Sequence, residues 1–146
     1  GHTWTSCLCE VEDFPAFRFP DSQVVLTQRD IRNVQLAKGA ICAGILTLLS
    51  QAGLRPEDIG TFYLAGGFGS YIKIPSAVEI GLIPQAFMDK AKAIGNAAGM
   101  GACMLLQSQT LRRGSEDLAN RMKTVELSQN PSFHQYYMDC MMLEPI

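Results

Sequence analysis

A chain of 146 residues that is 47% hydrophobic and 18% charged has the length of one ordinary domain and enough apolar matter to bury a core. Its formal charge of −2 gives no electrostatic pull toward nucleic acid or an anionic membrane surface. Its apolar runs fall far short of the roughly 20 residues a bilayer span needs, so neither partner is expected and a soluble, cytoplasmic chain is.

Gly1-His2, with no initiator Met, reads as the scar of a tag on a fragment of a longer protein. Residues 3–11 are β-prone and alternate loosely. Pro20-Asp21-Ser22 makes a turn between Ala16-Phe17-Arg18-Phe19 and Gln23-Val24-Val25-Leu26, which predicts an antiparallel hairpin or meander. At Thr27 the period changes. Thr27 is placed to N-cap and Asp30 to complete a capping box, while Ile31, Val34, Ile41, Ile45, Leu48 and Ala52 share one stripe of a helix over 28–52, closed by Gly53. Thr61 to Ala65 is then a buried strand that breaks into Gly66-Gly67-Phe68-Gly69. Pro75 opens a short helix that Gly81 stops. Lys92-Ala93-Ile94 is a second strand, followed by a second glycine turn, Gly95-Asn96-Ala97-Ala98-Gly99. Asn96 caps a helix over 97–109 that Gly114 ends. Ser115-Glu116-Asp117 opens another to Met122, Val125-Glu126-Leu127 reads as a short strand, and Asn130-Pro131 starts a last helix carrying Phe133, Tyr137, Cys140 and Met141. This order predicts an α/β fold: an antiparallel hairpin followed by alternating helices and parallel strands, with ligand sites beyond the strand carboxyl ends.

Both glycine turns fall at such ends. Glycine has no Cβ, so Gly66, Gly67 and Gly69 would let a ligand lie against the main chain with N–H groups free to donate; a plain tight turn is the alternative. Asn96 either presents its carboxamide to a ligand or simply caps its helix. Gln35 and Lys38 share one helix face. If that face meets the glycine cleft, Lys38 reaches an anionic or ribose group; otherwise the face is charged and solvated. The five cysteines lack the paired spacing of a disulfide scaffold or a zinc site and suit a reducing cytoplasm. Cys7 and Cys9 on one strand face, and Cys42, Cys103 and Cys140 on apolar helix faces, read as small buried hydrophobes, and Met141-Met142-Leu143 as core. No nucleophile is placed beside His134, the carboxylates sit in caps and loops, and no Walker A sequence occurs. The residues point to binding rather than catalysis.

Four separated blocks carry a resemblance: Leu26-Thr27-Gln28-Arg29-Asp30-Ile31 through Gln35-Leu36-Ala37-Lys38-Gly39-Ala40-Ile41, then Tyr63-Leu64-Ala65-Gly66-Gly67-Phe68-Gly69-Ser70-Tyr71, Ile80-Gly81-Leu82-Ile83-Pro84, and Gly95-Asn96-Ala97-Ala98-Gly99. With the ending from Asn130-Pro131 to Met142, they resemble the carboxy-terminal region of the reductive activators of corrinoid proteins, over residues 23–145. That region is similar to the actin, sugar-kinase and heat-shock-chaperone ATPase superfamily. The resemblance implies a ribonuclease-H-like subdomain, with residues 1–22 as scar and leading β segment and 23–146 as the C-terminal half of an ATPase-type domain.

It further implies a parent protein that uses ATP with Mg²⁺ to drive an electron from an iron–sulfur cluster, held in a domain absent from this chain, to the cobalt(II) of a corrinoid protein. The product is the cobalt(I) form needed for methyl transfer. By the same resemblance Gly66, Gly67 and Gly69 contact adenosine, Gly95, Asn96 and Gly99 belong to the segment connecting the two ATPase halves, and Gln35 and Lys38 contact the nucleoside. The phosphate-binding segments would lie upstream, so this fragment alone would lack most of the charge stabilisation that phosphoryl transfer requires and is not expected to be an active enzyme. A corrinoid protein is the implied partner and a homodimer is open. The other function the residues allow is a docking or dimerisation module without its own nucleotide chemistry.

Overall fold

In a computed structural model of the chain, residues 4–146 are described, with the backbone alone at Trp4, Phe68 and Ser70; Gly1, His2 and Thr3 lie outside the described residues. Strands β1 (Leu8–Val11), β2 (Phe14–Arg18) and β3 (Val25–Thr27) form the expected antiparallel meander in that order. β1 starts later than its composition suggests, because Trp4–Cys7 is a 3-10 turn. Cys7 therefore lies outside the strand and is buried, while Cys9, within it, is half-buried. The two-residue turn between β1 and β2 places Glu12 and Asp13 at φ 51° and 63°, the geometry whose twist matches paired strands.

Helix α1 (Gln28–Ala52) starts at the capping box: the Thr27 hydroxyl accepts from the Asp30 N–H at 3.1 Å, and the Asp30 carboxylate accepts from the Thr27 N–H at 2.9 Å. The Thr27 hydroxyl also donates to the Asp30 carboxylate at 2.6 Å, and that bond first, with the one from the Thr27 N–H, holds the Asp30 carboxyl below its ordinary pKa. Gly53, at φ 68°, closes the helix. The apolar stripe faces the core only in part, at Ile45. Val34, Ile41 and Leu48 are exposed, and the packed face carries Lys38, Gly39, Cys42, Ala43 and Thr47. The reason is the neighbour: α6 (Pro131–Asp139) lies along α1 so closely that a methyl on Gly39 would stand 3.4 Å from both the Tyr137 ring and the Cys140 carbonyl. By length and composition α1 could cross a bilayer, with a mean hydropathy of 1.3 over its most apolar window, but in this fold it packs against α6, β2 and β3.

β4 (Phe62–Ala65) and β5 (Ala91–Gly95) pair in parallel as a separate two-stranded sheet. A short helix, α2 (Gly66–Tyr71), begins directly at the end of β4, where a turn alone was expected. Helix α3 (Ile74–Glu79) carries Pro75 in its first turn, and Gly81 follows at φ 70°. The buried cluster is Ala77, Val78, Ile83 and Phe87, against which Ile45, Leu49 and Phe62 pack; the Phe62 and Phe87 rings stack at 4.6 Å.

Helix α4 (Ala97–Gln107) and helix α5 (Gln109–Arg121) depart from the sequence expectation at their junction. Ser108 caps α5, its hydroxyl accepting from the Leu111 N–H at 3.3 Å, so Gly114 lies inside that helix and ends nothing. Ser115 opens no helix either, since its hydroxyl donates back to the Arg112 carbonyl at 2.7 Å. One glycine in a helix interior costs only about 1 kcal/mol, less than this cap and its following turns supply. Val125-Glu126-Leu127 is not a strand: among the described residues no strand pairs with it, and a 3-10 turn, Leu127–Gln129, follows. Asn130 caps α6 as expected, but Cys140 is its closing cap and Met141 lies beyond it. Met142 and Leu143 are exposed rather than core. Residues 141–146 run back over α1 and the Gly81 turn, with the Gln85 N–H donating to the Ile146 carbonyl at 2.7 Å.

Candidate functional site

Parallel pairing of β4 with β5 sets Ala65 opposite Gly95, so the two glycine turns leave adjacent strand ends and α2 rests against β5. The glycines there divide by what surrounds them. Gly66 and Gly95 sit at φ 79° and 58°, and a methyl on either, or on Gly67, would meet nothing within 4 Å. No internal contact requires glycine at Gly67, and only backbone conformation requires it at Gly66 and Gly95. Gly69 differs, because a methyl there would strike the Leu64 carbonyl as α2 folds back over β4. Gly99 differs too, since the Asn96 carboxamide oxygen accepts from its N–H at 2.9 Å and the carboxamide fills the space a methyl would need. Asn96 is therefore a helix cap, whatever else it touches.

Gln35 and Lys38 are not brought to these turns. Gln35 lines a cavity of about 510 Å³ with Phe14, Gln28, Arg29, Ile31 and Arg32. Lys38 is 1% exposed, neither solvated nor open to a ligand, and its ammonium donates to the Met142 carbonyl. Burial pushes its pKa down, against the opposing pull of Cys140, Cys42 and Glu144. Burial also pushes the Cys42 thiol up to about 12 and raises the Cys140 thiol. Lys38, Cys42 and Cys140 form a buried clasp between α1 and the C-terminal segment that sequence reasoning missed. The available signal was the run of small residues around Lys38, from Gly39 through Gly44, which marks a close helix contact. Cys103, expected to be buried, is exposed on α4, and all five cysteines are free thiols. Among the described residues no three His, Cys, Asp or Glu side chains gather as metal ligands would.

An antiparallel meander, a crossover helix and parallel strands ending side by side in glycine turns define an α/β module of the ASKHA type. Residues 13–145 match the family model described as the C-terminal domain of RACo, the ASKHA domain, and the chain belongs to that family. It is similar to the corrinoid activation enzyme RamQ of Eubacterium limosum, at 38% identity over 116 residues, covering 79% of this chain and 19% of RamQ. It is also similar to a Co(II) methylated amine-specific corrinoid protein reductase of Methanosarcina barkeri, at 29% identity over 94 residues, covering 60% of this chain and 17% of that protein. A solved structure, a reductive activator for corrinoid, iron–sulfur protein, superposes with a TM-score of 0.83 at 30% identity, over 97% of this chain and 24% of that one. The chain thus spans about a fifth of the length of the curated relatives it matches. The family resemblance and the α/β fold class read from sequence are borne out.

Proposed function

We propose that this chain is the adenosine-side nucleotide-binding portion of an ATP-dependent reductive activator that returns the cobalt(II) of a corrinoid protein to cobalt(I) for methyl transfer. One observation carries the reading: Gly66, Gly67 and Gly95 stand together at the ends of two parallel strands, where a methyl on any of the three would meet nothing within 4 Å among the described residues. A flat, uncharged ring with its ribose suits a main-chain surface free of Cβ atoms, and these residues fit that group. Gly66, Gly67 and Gly95 would hold the nucleoside, while Asn96, by capping α4, fixes the second turn in place. ATP with Mg²⁺ supplies the driving force when bound. Its phosphate and metal contacts, and the iron–sulfur cluster, belong to other parts of the whole protein. The names of the relatives support a corrinoid protein as partner.

Calorimetric titration of the full-length protein with ATP and ADP tests this. A Cβ at position 67 meets nothing within 4 Å among the described residues, so the fold of Gly67→Val should persist while affinity falls by about tenfold or more. Unchanged affinity in that variant, or no nucleotide heat from the wild type, sinks the assignment. A second reading, a docking module without nucleotide chemistry, is favoured by the exposure of Met100, Met104, Leu111, Leu118 and Met122 along α4 and α5. It predicts co-migration with a corrinoid protein on a sizing column in the absence of nucleotide, lost in Met104→Lys.

A further inference from the structure

Cys42 and Cys140 are brought together by the fold from opposite ends of the chain, and neither belongs to the glycine turns. Cys42 is 0% exposed and Cys140 1%. Lys38, Gly39 and Cys42 lie within one turn of each other on the face of α1 that packs. Gly39 lets the partner in, since a methyl there would stand 3.4 Å from the Cys140 carbonyl. Main chains that approach so closely leave room between them for short side chains only, and the Cys42 and Cys140 thiols are within hydrogen-bond reach of each other. Sulfurs already in reach have a closing movement of about 2 Å to make before they meet the bond length of a disulfide.

The two thiols are not equivalent. Burial raises both, but contact with Cys42 and then the Lys38 ammonium pull Cys140 back toward the thiolate. Cys140 is therefore the better nucleophile and Cys42 the thiol that resolves it. What keeps them inert is their cover. Residues 141–146 leave directly from Cys140 and are held by the Lys38 ammonium on the Met142 carbonyl and by the Gln85 N–H on the Ile146 carbonyl at 2.7 Å. A terminal segment held at such points opens locally at lower cost than the whole fold.

We propose that Cys42 and Cys140 are an oxidisable pair that, by exchange with a low-molecular-weight disulfide, closes an intramolecular disulfide tying the end of α6 to the middle of α1. The exchange balances. As the cover lifts, the Cys140 thiol gives its proton to solvent, and its sulfur attacks one sulfur of the small disulfide and releases the other as a thiolate. The Cys42 sulfur, once deprotonated, attacks Cys140 in that mixed disulfide and releases the second thiolate. The protein loses two electrons and two protons, and the small disulfide becomes two thiols. The ring so closed runs from α1 through β4, β5, α4 and α5 to α6, and a loop of that length restrains the unfolded chain strongly. The proposal goes beyond nucleotide binding and stands whether or not the glycine turns hold adenosine.

Incubation of the native full-length protein with oxidised glutathione, acid quenching, alkylation in denaturant and peptide mapping by mass spectrometry without reduction test it. A peptide joining Cys42 to Cys140 is expected, formed at least about tenfold more slowly than the exposed Cys103 takes up glutathione. In Cys42→Ser, Cys140 should stop at the mixed disulfide with glutathione, and in Cys140→Ser, Cys42 should stay a free thiol. Recovery of both thiols alkylated from the wild type after Cys103 has reacted fully overturns the proposal, as does a joined peptide that forms only in urea or one that links either cysteine to a third. Formation as fast as the reaction of Cys103 overturns the cover. A Cys42 that takes up glutathione in Cys140→Ser as fast as Cys140 does in Cys42→Ser overturns the order of attack.

Discussion

The turn at Gly81 and the turns at Gly66, Gly67 and Gly95 use the same residue in opposite ways. At Gly81, with φ 70°, a methyl would strike the Glu144 carbonyl and stand 3.0 Å from the Lys38 ammonium and 3.2 Å from the Ile146 side chain. The C-terminal segment fills that space. At Gly66, Gly67 and Gly95 a methyl would meet nothing within 4 Å. A glycine in a turn does not by itself mark a binding surface, nor does open space beside it, since Gly53, Gly60, Gly101 and Gly114 are equally open; Gly66, Gly67 and Gly95 stand apart because they lie together at two paired strand ends. The first region should set stability and leave ligand affinity alone, and the second should do the reverse.

Gly81→Ala tests the first half with the largest effect. A left-handed alanine costs roughly 1–2 kcal/mol, and displacing the Glu144 backbone brings the total to about 3 kcal/mol or more, read from urea unfolding of the full-length protein. A loss under about 1 kcal/mol means that residues 141–146 are not seated there in solution. Lys38→Ala should cost about 2–4 kcal/mol through the cavity and the orphaned Met142 carbonyl. Lys38→Met should cost less, because it keeps the packed stem and removes a buried charge. Equal losses break the clasp, and a change in nucleotide affinity from either variant breaks the division between the regions.

The clasp also sets a pH response. The Cys42 thiol, raised from its ordinary 9.0 to about 12, holds its proton more tightly in the folded chain. Its stabilisation is complete below about pH 9 and is lost as pH rises toward 12. Lys38 runs the other way, since its lowered pKa destabilises the fold while the amine is charged, a penalty that fades as pH approaches 10.5. Cys42 and Cys140 are both raised against the one lowered lysine, so Tm should fall as pH rises past about 9, less steeply in Cys42→Ala. An unchanged slope in that variant moves the alkaline sensitivity elsewhere.

What was legible in the sequence was local. The Thr27 capping box, the Gly53 close and the Asn96 and Asn130 caps each rest on hydrogen bonds within a few residues and stand as read, and Pro75 and Gly81 bracket α3 as read, though Pro75 is its second residue rather than its first. Long-range packing was not legible. Hydrophobicity put Val34, Ile41, Ile45 and Leu48 on one stripe and left Lys38 to a ligand cleft or a solvated face, whereas the close approach of α6 selects small residues, so glycines, cysteine and alanine take the interior and carry a lysine in with them. Gly114 misled for a related reason, because the Ser108 cap decides where α5 begins and a single helical glycine cannot end it. The adjacency of Gly66 and Gly95 followed from reading both strands as parallel, but which of the neighbouring glycines pack and which stay open needed atoms: Leu64 explains Gly69, and Asn96 explains Gly99.

Smaller effects test the second half. Asn96→Ala removes the acceptor for the Gly99 N–H and should cost about 1 kcal/mol, with a weaker loss of nucleotide affinity as the second turn loosens. Gly67→Ala is the finest test because its two readouts should move in opposite directions. The methyl meets no protein atom and lowers the entropy of the unfolded chain, so stability should rise by about 0.5 kcal/mol. The same methyl intrudes on the surface proposed for the adenine ring, so nucleotide affinity should fall, though less than in Gly67→Val. A fall in both would give Gly67 an internal role like that of Gly81. A rise in stability with affinity unchanged would leave it an open turn that nothing occupies.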